Sequence, residues 1–99
     1  MTNWRIGQTV AFVDSGRRVV ALNLADANAR VPLAIEGTGA EIWRAIARGE
    51  ASGVTPQEVL GSLSRDFETE PEAIAESVMG FVDQLLALGL VAVEPLVAD

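Results

Sequence analysis

The 99-residue chain has no cysteine, no histidine and no tyrosine. Without cysteine there is no disulfide framework and no thiolate metal site. Without histidine the commonest general base and metal ligand is missing. Lysine is absent too, so every cation is an arginine: Arg5, Arg17, Arg18, Arg30, Arg44, Arg48 and Arg65. Nucleophilic catalysis needs an activated Ser, Thr or Lys, and no histidine or lysine is available as its base. The serines fall in turns or on solvent faces. The acidic pairs, such as Glu70 with Glu72, sit at helix starts, where the macrodipole accounts for them. No Asp-x-Asp loop offers a calcium or magnesium site. Gly37-Thr38-Gly39 lacks the lysine and spacing of a phosphate loop and reads as a tight turn into a helix. The inventory argues against an enzyme and implies no cofactor and no metal.

About half the chain is apolar (49%) and the formal net charge is −7. That apolar content suffices for one folded domain over 1–99 with a modest core. The charge disfavours nucleic acid, whose affinity depends on clustered Lys and Arg, and favours a neutral or basic partner. No apolar run reaches the ~18 residues of a membrane span, and Met1 to Gly7 has no export-signal pattern. The expectation is a cytoplasmic protein with no membrane partner.

The first third of the chain, about 9–35, has the pattern of strands. Thr9 to Val13 and Arg18 to Leu24 flank Asp14-Ser15-Gly16, a hairpin signal. A turn over Ala25 to Ala29 precedes a third strand, Val31 to Ile35. Pro32 cannot donate a ladder hydrogen bond, so it assigns this strand to a sheet edge. Two readings of the edge are open: protection against unwanted pairing, or a docking edge.

Three helices follow, over about 38–88. Thr38-Gly39-Ala40-Glu41, Thr55-Pro56-Gln57-Glu58 and Thr69-Glu70-Pro71-Glu72 each match the Thr-x-x-Glu capping box. Gly49 and Gly89 are placed to end the first and third helices in left-handed caps. In the third helix Ile74, Val78, Phe81, Leu85 and Leu88 form one stripe, with Met79, Val82 and Leu86 to its side. The apolar sector is wider than a small core requires. Either the core is wide, or Met79, Val82 and Leu86 line an open groove flanked by Glu76 and Asp83. A short closing strand is expected at Val91 to Val93, with a frayed tail over 94–99.

Strands followed by helices suggest an α+β, winged helix-turn-helix-like fold, with a three-stranded antiparallel sheet followed by three helices. A winged-helix DNA-binding regulator would share it, but the second helix offers a major groove only Gln57 and Arg65.

Four segments carry a family resemblance: Ala21 to Leu24, Gly37 to Trp43, Thr55 to Val59 and Phe81 to Val91. Together they resemble the PqqD-like family, which includes the recognition elements for precursors of ribosomally made, modified peptides. The free-standing leader-binding proteins of lasso-peptide biosynthesis are the most similar branch in length and helix entry. The resemblance implies that a leader peptide adds as a strand along Arg30, Val31, Pro32, Leu33, Ala34 and Ile35. Its side chains would rest on Met79, Val82 and Leu86, with Glu76 and Asp83 available to basic residues. It also implies delivery to a leader peptidase and a cyclase or other modifying enzymes. The alternative within the family is a chaperone for a radical enzyme in quinone-cofactor maturation.

Overall fold

The computed structural model describes residues 2–25, 32–49 and 52–95. Eight elements follow in order: β1 (Thr2–Ile6), β2 (Val10–Asp14), β3 (Arg18–Asn23), β4 (Leu33–Glu36), α1 (Thr38–Ala47), α2 (Pro56–Asp66), α3 (Pro71–Ala87) and β5 (Val91–Pro95). The fold is α+β, with the expected antiparallel sheet β2-β3-β4 and three helices. The closing strand expected at Val91 to Val93 is present as β5, and β1 is the one strand not expected. β1 and β5 pair antiparallel as a second sheet, Trp4 opposite Val93. β1 carries no hairpin signal because its partner lies at the far end of the chain. It is also held sideways, since Trp4 and Val54 exchange backbone hydrogen bonds of 2.7 and 2.8 Å.

Asp14-Ser15-Gly16 forms the hairpin turn. Asp14 accepts the Gly16 N–H at 2.9 Å, and Gly16 takes the positive φ (90°) that such a turn needs. The Arg44 guanidinium clamps this turn from α1, donating to both Asp14 carboxylate oxygens (2.7 and 2.9 Å) and to the Gly16 carbonyl (2.9 Å). The Arg44 hydrogen bonds, with help from the Gly16 N–H, pull the Asp14 carboxyl down to about 2.

The helix starts differ from the three expected capping boxes. Only Thr55 caps as predicted, its hydroxyl oxygen accepting the Glu58 N–H at 3.1 Å. Thr38 already lies inside α1. The cap there is Gly37, at φ 61°, because β4 turns into the helix without a spacer. Glu41 instead pairs with Arg44 one turn on. Thr69 is tied backwards to Ser64, its N–H donating to the Ser64 carbonyl and its carbonyl accepting the Ser64 hydroxyl, which leaves Glu70 as the cap of α3. At the other ends, Gly89 closes α3 at φ 73° as expected. Gly49 is not left-handed; α1 ends on Arg48 in the helical region, and the positive φ falls on Gly53.

The core lies where the inner face of the larger sheet meets the helices. Val19, Ala21 and Ile35 face Ile42, Trp43 and Ile46 of α1, with Val59 and Leu63 from α2 and Val78, Val82 and Leu85 from α3. Trp43 is fully buried, and Phe12 meets its ring edge-on at 5.3 Å between centroids. Among the described residues, no helix is long and apolar enough to cross a membrane.

Candidate functional site

The site follows from which backbone groups of β4 are left over. Ser15 N–H donates to Arg18 O (3.0 Å) and Leu24 N–H to Thr9 O (2.8 Å). In an antiparallel ladder the bonded pairs alternate, so Arg18, Val20 and Leu22 turn their backbone groups toward β2. Val19 and Ala21 therefore turn theirs toward β4, where their partners are Ile35 and Leu33. The N–H and C=O groups of Ala34 and Glu36, with the carbonyl of Pro32, point away from the sheet. β4 is the outer strand of its sheet, so this row has no strand beside it among the described residues. Pro32 sits in the outward register, so it costs that edge one donor and leaves the β3 ladder intact.

Beside this edge lies a cleft of about 370 Å³. Its floor is β4 (Leu33, Ala34, Ile35), and one end is closed by Thr38, Gly39 and Ile42 of α1. The far wall is α3, through Ser77, Phe81, Gln84 and Leu85, with Leu88 just past the helix end. The surface is largely apolar, with Glu36, Thr38, Ser77 and Gln84 as its polar points. Gly39 shapes the wall: a Cβ there would stand 3.0 Å from Phe81 Cζ and 3.1 Å from Ile35 Cγ2. Glycine at this position is what lets the Phe81 ring lie against the start of α1.

Of the residues singled out from sequence, Leu33, Ala34 and Ile35 line the cleft, and Pro32 lies exposed at its end. Arg30 and Val31 lie outside the described residues. The α3 assignment needs correction. Val82 is 0% exposed and belongs to the core, so it is no groove residue. At 100° per residue, Met79 and Leu86 lie on the far side of Val82 from Phe81, and Glu76 and Asp83 on the solvent face; none of these four lines the cleft. Met79 is 42% exposed, and Leu86 is half-buried against the core. The apolar sector is indeed too wide for the core, but the surplus is on the opposite flank. Phe81 and Leu88, read from sequence only as part of the main apolar stripe, form the open wall, and Leu88 is 49% exposed. The missed wall had one sequence signal, the stripe Ile74, Phe81 and Leu88 at seven-residue spacing beside Gly39.

An unpaired strand edge above an apolar trough has the shape and chemistry to receive an extended peptide. Main-chain groups would bond the edge while every second side chain enters the trough. The family model described as Coenzyme PQQ synthesis protein D (PqqD) matches residues 18–91. The chain belongs to the PqqD family. Its fold is shared with a solved structure, TbiB1 in complex with the TbiA(beta) leader peptide. The TM-score is 0.74 at 18% identity, covering 96% of this chain and 99% of that one. No curated protein matches the chain.

Proposed function

We propose that this protein binds the leader peptide of a ribosomally made precursor as an added strand on β4. The observation that carries the reading is the outward row of Ala34 and Glu36 backbone groups above the Phe81, Leu85 and Leu88 wall. The peptide's alternate residues then enter the cleft, and those residues are apolar. Ala34 is small and on the outer face, so it leaves the neighbouring strand room to approach. The structure bound to a leader peptide with which this chain shares its fold supports the same use of the fold. Leu33, Ala34 and Ile35 are retained as peptide-binding residues. Arg30 and Val31 lie outside the described residues and remain expectations from sequence, and Pro32 contributes its carbonyl. Glu76 and Asp83 bear on the peptide only through their charge.

The protein performs no chemistry on the peptide. It captures the leader and presents the rest of the precursor to a leader peptidase and a cyclase of a lasso-type pathway. Tethering raises the effective concentration of substrate at those enzymes. A second reading, chaperoning a peptide for a radical enzyme in quinone-cofactor maturation, is favoured by the name of the matching family and uses the same cleft.

The test is titration of the purified protein with the leader peptides encoded beside its gene, with a scrambled peptide and a DNA duplex as controls. Saturable binding of one leader and not of its scrambled form is the expected result. Binding only of a quinone-cofactor precursor peptide selects the second reading. Salt-dependent DNA binding without peptide binding refutes both.

A further inference from the structure

A second cavity, of about 420 Å³, lies between the start of α1, the end of α2 and the first half of α3. Its lining includes Thr38, Ile42 and Ser77, which also line the first cleft. These three residues stand between the two. The back of the second cavity is Leu63 and Val78, both buried, and its mouth is Phe67 and Ile74. Phe67 is 45% exposed and closes α2, followed by Glu68 at φ 50°, a strained backbone for a non-glycine residue. This turn holds a large aromatic ring at a cavity that no side chain among the described residues fills.

Two further observations say what enters it. At the junction the β4 edge has ended, and the hydroxyls of Thr38 and Ser77 stand in its place; both residues are exposed, and neither hydroxyl has a partner among the described residues. They can bond a main chain that has lost its strand partner. The chain around Phe67 is acidic on balance, with Asp66, Glu68 and Glu70 exposed beside it and Arg65 as the single cation. Ten of the fourteen carboxylates, but one of the seven arginines, follow residue 49.

We infer that the second cavity is a subsite for the same peptide. It takes a large apolar side chain, flanked by lysine or arginine, from the segment that runs past the Glu36 end of β4. The inference rests on the proposed peptide-binding reading and adds to it a second anchor with a charge requirement.

The chain's three phenylalanines separate the possibilities. Phe81 reports the cleft, Phe67 the second cavity, and Phe12 a remote surface beside Trp43. The protein is labelled with 4-fluorophenylalanine, its resonances assigned by single Phe→Leu variants. It is then titrated with the leader peptide that binds best in the test above, and with two versions of that leader shortened from either end. The full leader is expected to move the Phe81 and Phe67 signals and to leave Phe12 in place. One shortened leader keeps the Phe81 shift, loses the Phe67 shift and binds about tenfold more weakly. Phe67→Ala weakens the full leader by a similar factor and leaves that shortened one unchanged. Added salt weakens the full leader more than the shortened one. A Phe81 shift without a Phe67 shift refutes the second subsite and leaves the cleft reading standing. A Phe67 shift that persists with both shortened leaders also refutes it. If no leader moves Phe81, the cleft reading itself fails.

Discussion

Ala34→Pro isolates the strand edge from everything else in the protein. The ladder alternation turns the Ala34 N–H away from β3, so a proline there removes no internal hydrogen bond. Leu33 before it is already extended, which is the conformation a following proline demands. The fold should therefore survive with little change in Tm. For the peptide, the substitution deletes one main-chain donor and sets a ring in the path of the incoming strand. A lost hydrogen bond costs about 0.5–1.5 kcal/mol net, and a carbonyl left unsatisfied about 1–3 kcal/mol. At 1.4 kcal/mol per decade, affinity should fall roughly 10- to 100-fold. The control is Leu33→Pro, which removes an inward donor bonded to Ala21 and should lower stability instead. Isothermal titration and thermal unfolding of both variants decide the matter. Unchanged leader affinity in a folded Ala34→Pro protein would refute strand addition on β4. Unfolding by Ala34→Pro together with tolerance of Leu33→Pro would show that the edge assignment is reversed.

Three other substitutions probe the same account. Val82→Ala, a truncation inside the core, should cost about 2 kcal/mol in denaturant unfolding and leave peptide affinity of the folded protein unchanged. A large affinity loss without a stability loss would return Val82 to the site. Gly39→Ala should displace the Phe81 ring and weaken leader binding by a larger factor than any change in the unfolding midpoint accounts for; equal affinity would mean the Phe81 wall is not used. Asp14 is held at about 2 when folded, against 3.8 for the free group, so its contribution is complete above about pH 4 and disappears as pH falls toward 2. Wild type should accordingly melt above Asp14→Asn at pH 7, with the two curves converging near pH 2. A gap that stays constant across that range would show that the Arg44 clamp on the hairpin is not what Asp14 supplies.

Much of this protein is written in local pattern. The hairpin at Asp14-Ser15-Gly16, the three helices and the edge position of the third strand follow from turn residues, periodicity and one proline. Each depends on neighbours within a few residues. The capping boxes show where local pattern overreaches. Thr-x-x-Glu occurs three times, but the hydroxyl caps only at Thr55, because Gly37 and Glu70 take the cap positions of the other two helices. β1 was not legible, because a strand whose partner lies about ninety residues away leaves no turn between them.

The site divides in the same way. Sequence alone determined that β4 is an edge and that α3 is too apolar for its core, since composition and period set the width of a helical stripe. Only the tertiary structure decided how α3 is rotated about its axis. Packing against its neighbours sinks Val82 and turns Phe81 and Leu88 toward β4. A helical wheel carries no reference direction. That direction comes from the elements packed around the helix, and they lie far away in the chain.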